Sequence, residues 1–252
     1  MTLETTRPDA PTACVGWRAH DLVAHLAAGA AEMATHVEAT LVGKDDRATS
    51  GFAEREAPFV ALPDDELRTR LVNEALRLRA AVEALAEAGM SAPFSGRRLT
   101  AAELRLHGRS EAAIHRWDLA GDDGVGQELL SDPELTRHAV LVLNSMLEGS
   151  AEAPAARAAM AGFGDEPVRL TFGSAGQPDV VLVAGGQTAH VELADASTTP
   201  TMTTDPATRL LALWGRRSPE RRVVWHVDPP TARRFASFLW PRRPGRPGDD
   251  GP

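Results

Sequence analysis

The chain has 252 residues, a formal net charge of −8, and a composition of 43% hydrophobic and 25% charged residues. This length allows one large or two small domains with a substantial core. The acidic balance argues against a nucleic-acid-binding protein, because contacts to phosphates require a basic surface. Cys14 is the only cysteine, which excludes a disulfide framework and a cysteine-based zinc site. No apolar run approaches the ~20 residues of a membrane span and no signal-peptide core is present, so we expect a cytoplasmic protein without membrane contact.

Apolar residues recur at helical spacing in four segments of the first part of the chain. Thr100 and Glu103 have the spacing of a capping box, and Pro63 precedes two aspartates, as at a helix N-terminus. The polar stretch at residues 44–58 is predicted to be a loop. The four predicted helices cover residues 17–43, 62–89, 99–121 and 131–149.

From residue 165 onward, short runs rich in β-branched residues alternate with glycine turns. The predicted strands cover residues 168–172, 179–183, 190–193 and 221–227, and two helices are predicted at residues 205–215 and from Pro229 onward. The sequence therefore predicts an α+β fold. It divides into a helical bundle in residues 1–150, a small α+β domain in residues 165–241, and a disordered tail in residues 242–252.

Two of the predicted helices carry ionisable side chains next to apolar ones. At about 100° per residue, Glu111 and His115 share one face of their helix. His25 lies on a similar strip of the first helix, between leucines. The solvated face of the helix with Glu111 is marked by three arginines on a separate arc: Arg105, Arg109 and Arg116.

His25, Glu111 and His115 would supply two imidazoles and one carboxylate. Catalytic zinc sites have this composition and leave one position open, and helical bundles build such sites from facing helices. The spacing of Glu111 and His115 also fits an ordinary hydrogen-bonded pair on one helix. From these residues alone, the metal site and the buried pair both remain open.

Three stretches resemble the mycothiol-dependent maleylpyruvate isomerase family, within the wider DinB-like bundle superfamily. Residues 14–29, "CVGWRAHDLVAHLAAG", resemble its first signature, and residues 107–121, "HGRSEAAIHRWDLAG", resemble its second. Residues 204–217, "TDPATRLLALWGRR", look like the helix of its sterol-carrier-protein-like C-terminal domain. The stretches occur in the family's order. Thirteen residues precede Cys14, fewer than in the family, so we expect either an upstream start or a bundle that lacks a covering helix.

The resemblance implies a DinB-like up-down bundle with a divalent metal, usually zinc, held by His25, Glu111 and His115. It also implies mycothiol as the thiol cofactor, activated because metal binding lowers the pKa of a thiol. In the family's reaction the thiolate adds to the cis double bond of maleylpyruvate. Rotation about the new single bond and loss of the thiol then give fumarylpyruvate. We therefore expect a metal-dependent isomerase that acts on a small electrophilic molecule.

Two alternatives stay open. An S-transferase would use the same thiolate to conjugate mycothiol to an electrophile, in detoxification or secondary metabolism. A non-catalytic protein would keep the bundle and the metal for binding or regulation. Neither the substrate nor the oligomeric state can be read from the sequence.

Further polar residues are candidates for the remaining roles. The resemblance implies an arginine of the second domain that faces the active site, and we predict Arg216 in this catalytic or cofactor-binding role, with Arg217 next to it as the alternative. A forked guanidinium suits carboxylates and polar sugar groups. Arg55 is a second candidate of that kind, and His107 a candidate for contacting a ligand or the substrate. Glu32 and His36 are candidates for lining the cofactor cavity. Cys14, just before a helix N-terminus, could be a reactive thiol, but we predict that it packs as a small apolar residue.

Overall fold

The computed structural model describes residues 2–44, 49–94, 96–148, 168–185 and 188–240. Its N-terminal region is helical, with one short hairpin. The elements of this region are α1 (Thr2–Thr5), α2 (Ala19–Leu41), α3 (Phe52–Val60), α4 (Asp64–Glu87), β1 (Ser91–Phe94), β2 (Arg97–Thr100), α5 (Ala101–Ala120), α6 (Gly124–Leu130) and α7 (Pro133–Glu148). The four helices predicted from apolar spacing correspond to α2, α4, α5 and α7.

A mixed five-stranded sheet with two helices follows. Its elements are β3 (Val168–Ser174), β4 (Gln177–Gly185), β5 (Thr188–Ala194), β6 (Met202–Thr204), α8 (Pro206–Leu213), β7 (Val224–Trp225) and α9 (Pro229–Leu239). The strand order is β5-β4-β3-β6-β7, in which β3 and β6 are parallel and the other pairs antiparallel. The predicted α+β fold, helical region first, is confirmed. The predicted boundary at residue 150 and the predicted tail at residues 242–252 lie outside the described residues.

The predicted loop at residues 44–58 is wrong in its second half, where α3 begins after Gly51. Its large apolar residues, Phe52, Phe59 and Val60, stand at its two ends around a charged run at 54–56, and Pro58 stands in its last turn, where a sequence pattern favours a break. Residues 45–48 of this predicted loop lie outside the described part. The strand predicted at residues 221–227 is also shorter than expected, because only Val224–Trp225 pairs with β6.

Three clusters of buried side chains position the site. One lies between α2, α4 and the hairpin, with Val37, Leu85 and Phe94 among its members. The second packs the sheet against α7 and α9. The third joins α5, α6 and α7 to α8 and includes Trp117 and Leu210. This third cluster brings the segment after α8 next to the C-terminal end of α5. Among the described residues, no helix is long and apolar enough to cross a membrane.

Candidate metal centre

Helices α2 and α5 bring His25, Glu111 and His115 together. Glu111 Oε2 lies 3.5 Å from His25 Nε2 and 3.5 Å from His115 Nε2. The centroids of the two imidazole rings are 5.0 Å apart. One ligand-type atom of each residue lies within 4.8 Å of the other two. The three side chains of the predicted metal site are therefore neighbours in the fold.

The start of α5 sets which of its side chains face inward. Thr100 accepts a hydrogen bond from the backbone N–H of Glu103, and the Glu103 carboxylate accepts one from the N–H of Thr100, as predicted for a capping box. From this start, Ile114 and His115 are buried. The predicted solvated face is exposed at Arg105 and Arg109 and half-buried at Arg116.

Each imidazole binds a carboxylate through its other nitrogen. His25 Nδ1 lies 2.7 Å from Glu56 Oε1, and His115 Nδ1 lies 2.8 Å from Asp118 Oδ2. An ionised carboxylate can only accept, so Nδ1 of each ring carries a proton and donates it. The Nε2 atom of each ring then faces Glu111, as an N–H donor when the imidazole is protonated and as a lone-pair donor to a metal when it is neutral. Histidines that bind metals are held in this way by carboxylates behind them.

Asp118 is anchored by both regions of the chain. Its side chain is fully buried, and Arg216, after α8, donates Nη2–H to Oδ2 at 2.8 Å and Nε–H to Oδ1 at 3.2 Å. Cys14 Sγ lies 3.2 Å from Asp118 Oδ2 and 3.2 Å from Arg216 Nη2, so the predicted apolar packing of Cys14 is wrong. Burial by itself raises the pKa of Asp118, but hydrogen bonds from His115 and Arg216 outweigh it and lower the pKa to about 2.

The carboxylates make the site attractive to a cation. Burial raises the pKa of Glu111, but hydrogen bonds from His115 and His25 outweigh this effect and hold the pKa well below its usual range. Burial lowers the pKa of His115, and hydrogen bonds with Asp118, Cys14 and Glu111 reverse the effect and raise it well above 6.5. The negative charge of these carboxylates therefore favours a proton on the His115 imidazole, and it would attract a divalent cation for the same reason.

The donor set fits a divalent metal of the zinc class, with two imidazole nitrogens and one carboxylate oxygen. A second group of ligand-type atoms, from Cys14, His115 and Asp118, also lies within 4.8 Å. The Arg216 guanidinium already supplies the positive charge there. The Nε2 side of His115, with His25 and Glu111, is the better fit for a metal ion.

Comparison with known proteins shows that the helical region of the chain matches a described family. Residues 1–120 match the family model described as the mycothiol maleylpyruvate isomerase N-terminal domain. These residues belong to that family. No curated protein sequence matches the chain. Two solved structures, of a mycothiol-dependent maleylpyruvate isomerase and of a mutant of that enzyme, each share 18% identity with this chain, at a TM-score of 0.58. Each match covers 90% of this chain and 88% of the other, and at this identity the likeness concerns the fold.

Aromatic rings flank the candidate metal ligands in this domain. The Trp17 ring is stacked on His115 at 6.4 Å between centroids and lies 5.1 Å from the His25 ring. The Phe52 ring, 50% exposed, lies 5.8 Å from His25. The side of the site near His25 is therefore partly apolar.

The predicted cofactor-binding residues Glu32 and His36 and the predicted catalytic residue Arg55 form one group. Arg55 Nη1 donates to Glu32 Oε2 at 3.0 Å, and its guanidinium lies 4.5 Å above the Phe52 ring. Glu32 also accepts the backbone N–H of Ser50, and its Oε1 is 3.9 Å from His36 Nε2. Their predicted binding roles, like that of Arg216, stay predictions.

His107 pairs with a histidine to which the sequence analysis gave no role. His107 Nδ1 lies 3.0 Å from His138 Nε2, so one ring donates to the other. Burial lowers the pKa of His107. Burial, followed by the neighbouring His107, lowers the pKa of His138 to about 4. Both rings are therefore neutral near pH 7. The other charged groups that act on His138 are Arg97, Glu103 and Glu111.

We predict that the pair of His107 and His138 makes the protein less stable in mild acid. The pKa of His138 is lower in the folded state than in the unfolded state. As the pH falls below 6.5, His138 therefore becomes protonated in the unfolded chain while it stays neutral in the folded chain. The free energy of unfolding should drop by about 2 kcal/mol between pH 7 and pH 5 from this group. Urea unfolding of the wild type and His138→Gln at both pH values measures the difference. His190→Gln, at an exposed histidine, is the control. Equal pH dependence in the wild type and His138→Gln would contradict the prediction.

Two residues of the site, Glu56 and Asp118, have roles that the sequence analysis missed. Asp118 carries a local signal, since it follows His115 by three residues on the same helix. Glu56 carries none. It lies 31 residues from His25, in a segment predicted to be a loop.

Proposed function

We propose that this protein is a metal-dependent enzyme that activates a low-molecular-weight thiol for addition to an electrophilic small molecule, with His25, Glu111 and His115 as the metal ligands. One observation carries the proposal. Both imidazoles donate Nδ1–H to carboxylates, and both Nε2 atoms lie 3.5 Å from the same Glu111 oxygen. A buried hydrogen-bonded couple would need only one imidazole, whereas a metal site needs three converging ligands.

A divalent metal at this site supplies a Lewis acid that lowers the pKa of a thiol. The chain's own residues do the rest. Glu56 and Asp118 hold the two imidazoles in the tautomer that offers Nε2. Arg216 donates hydrogen bonds to Asp118, on the Nδ1 side of His115, and keeps that carboxylate ionised. Trp17 and Phe52 cover the His25 side with aromatic surface.

The finer proposal follows the family. A solved structure with a similar fold is a mycothiol-dependent maleylpyruvate isomerase, and residues 1–120 match the model of the corresponding N-terminal domain. We propose mycothiol as the thiol and the cis-to-trans isomerisation of maleylpyruvate as the reaction, by addition of the thiolate, rotation and elimination.

An S-transferase is the second candidate, favoured by the charges around the site. The two nearby arginines of the described residues are each paired with a carboxylate, Arg55 with Glu32 and Arg216 with Asp118. A substrate with two carboxylates would have to compete for these cations. An electrophile with an apolar body could instead lie against Trp17 and Phe52.

The experiment compares two reactions of the zinc-loaded protein with mycothiol. One follows the absorbance change as maleylpyruvate becomes fumarylpyruvate, and the other follows thiol consumption with a neutral bimane electrophile. Isomerisation above the uncatalysed rate supports the first candidate, and conjugation alone supports the second. Catalysis by neither route, in zinc-loaded and folded protein, would overturn both. Cys14→Ser, assayed in parallel, shows whether the protein's own thiol contributes to the signal.

A further inference from the structure

Helix α3 lies along α2 but buries little of its own surface. None of its nine residues is buried, and only Arg55, Glu56 and Phe59 are partly covered. Phe59 packs against the cluster that contains Val23 and Leu67. Such an element opens at a small cost in free energy, because little apolar surface holds it in place.

The other two partly covered residues of α3 both bind α2. Glu56 accepts a hydrogen bond from His25, and Arg55 donates one to Glu32. His25 and Glu32 are seven residues apart, which places them two turns apart on the same face of α2. Two adjacent residues of α3 therefore hold it along the strip of α2 that carries the metal ligand.

The two carboxylates behind the imidazoles differ in how firmly they are placed. Asp118 is fully buried, lies on the same helix as its imidazole, and is fixed by Arg216. Glu56 is 16% exposed and comes from α3, none of whose residues is buried. The orientation of His115 is thus built into α5. The orientation of His25 depends on whether α3 is docked.

We propose that Glu56 is a positioning residue for His25, and that metal binding and the docking of α3 are thermodynamically linked through the Glu56–His25 hydrogen bond. The inference rests on the proposed metal site. When α3 is docked, Glu56 holds the Nδ1–H tautomer of His25 and leaves Nε2 free to bind. Because linkage is reciprocal, a metal that binds this tautomer stabilises the docked α3 by the same factor.

The first test measures zinc affinity by competition with a chromophoric chelator. Glu56→Ala should weaken zinc binding by roughly 10–100-fold, the usual effect of removing a partner behind a metal-binding histidine. Glu56→Gln, which can still accept a hydrogen bond without a charge, should fall between Glu56→Ala and the wild type. Glu54→Ala, at an exposed glutamate of the same helix, is the matched control and should bind zinc like the wild type.

The second test follows amide hydrogen exchange of α3 with and without zinc. In the wild type and Glu54→Ala, zinc should slow exchange in α3, while the unfolding midpoint of the metal-free protein stays similar in all variants. In Glu56→Ala the slowing should disappear. A purely structural role for Glu56 would change the metal-free midpoint and leave zinc affinity unchanged.

The outcomes separate this inference from the proposed function. A wild type that binds zinc, with Glu56→Ala within twofold of it or α3 exchange unaffected by zinc, overturns the inference and leaves the metal site standing. A folded wild type that binds no zinc overturns both. Weaker binding in Glu56→Ala together with zinc-dependent protection of α3 supports the linkage.

Discussion

Replacement of Glu111 by alanine is expected to abolish zinc binding at micromolar protein concentrations. The change removes the carboxylate oxygen shared by both imidazoles and leaves two nitrogen donors, fewer than a zinc site needs. The loss should exceed the roughly 10–100-fold effect of removing a hydrogen-bond partner behind a ligand. Elemental analysis of untagged protein, purified without chelator and then offered zinc, measures the metal content directly.

The matched control for Glu111 is Glu128→Ala, at an exposed glutamate on the neighbouring helix α6. It should retain zinc at the wild-type ratio, while His25→Ala should lose zinc like Glu111→Ala. Stoichiometric zinc in Glu111→Ala would contradict the assignment of Glu111 as a ligand. The metal would then have to be bound elsewhere in the chain.

Replacement of Asp118 by alanine is expected to destabilise the metal-free protein by about 3–5 kcal/mol, the usual cost of leaving one partner of a buried ion pair alone. Arg216 would lose its carboxylate while remaining largely covered, and His115 would lose the acceptor for its Nδ1–H. For a chain of this size the unfolding temperature should fall by roughly 6–20 °C. Thermal unfolding followed by circular dichroism, together with urea unfolding, measures the effect.

Two further variants make the Asp118 prediction specific. Asp123→Ala removes an exposed aspartate that pairs with Arg116 and caps α6, and it should have a much smaller effect. Adding Arg216→Met to Asp118→Ala should recover part of the lost stability, because no unpaired buried cation remains. A loss below 1 kcal/mol in Asp118→Ala would show that the contact between Arg216 and Asp118 contributes little to stability.

The contact between Arg216 and Asp118 also gives the C-terminal region a part in the site. Arg216 follows α8, whose apolar residues pack on α5 and α7, and its carbonyl oxygen accepts a hydrogen bond from Trp240 Nε1. The chain of contacts runs from Trp240 through Arg216 and Asp118 to His115. The helical region supplies the candidate metal ligands, and the C-terminal region fixes the orientation of one of them.

The sequence by itself determined the features that repeat within a single element. Glu111 and His115 share a face because a helix turns about 100° per residue, and the capping box at Thr100 and Glu103 is a local motif. His25 could be paired with them because its strip of α2 also carries ionisable residues beside apolar ones such as Leu22 and Met33. Periodicity likewise located the main helices and four of the five sheet strands, the last of them predicted too long, because burial on one face leaves a repeating pattern.

Only the tertiary structure decided which distant groups complete the site. Glu56 contacts His25 from α3, a helix with no buried residue, and the apolar pattern of the sequence did not predict this helix. His138 on α7 forms a hydrogen bond with His107 on α5, and Arg216 forms one with Asp118, 98 positions away in the chain. Such partners are chosen by the packing of whole elements, and a hydrogen bond between distant residues leaves no mark on the local sequence around either of them.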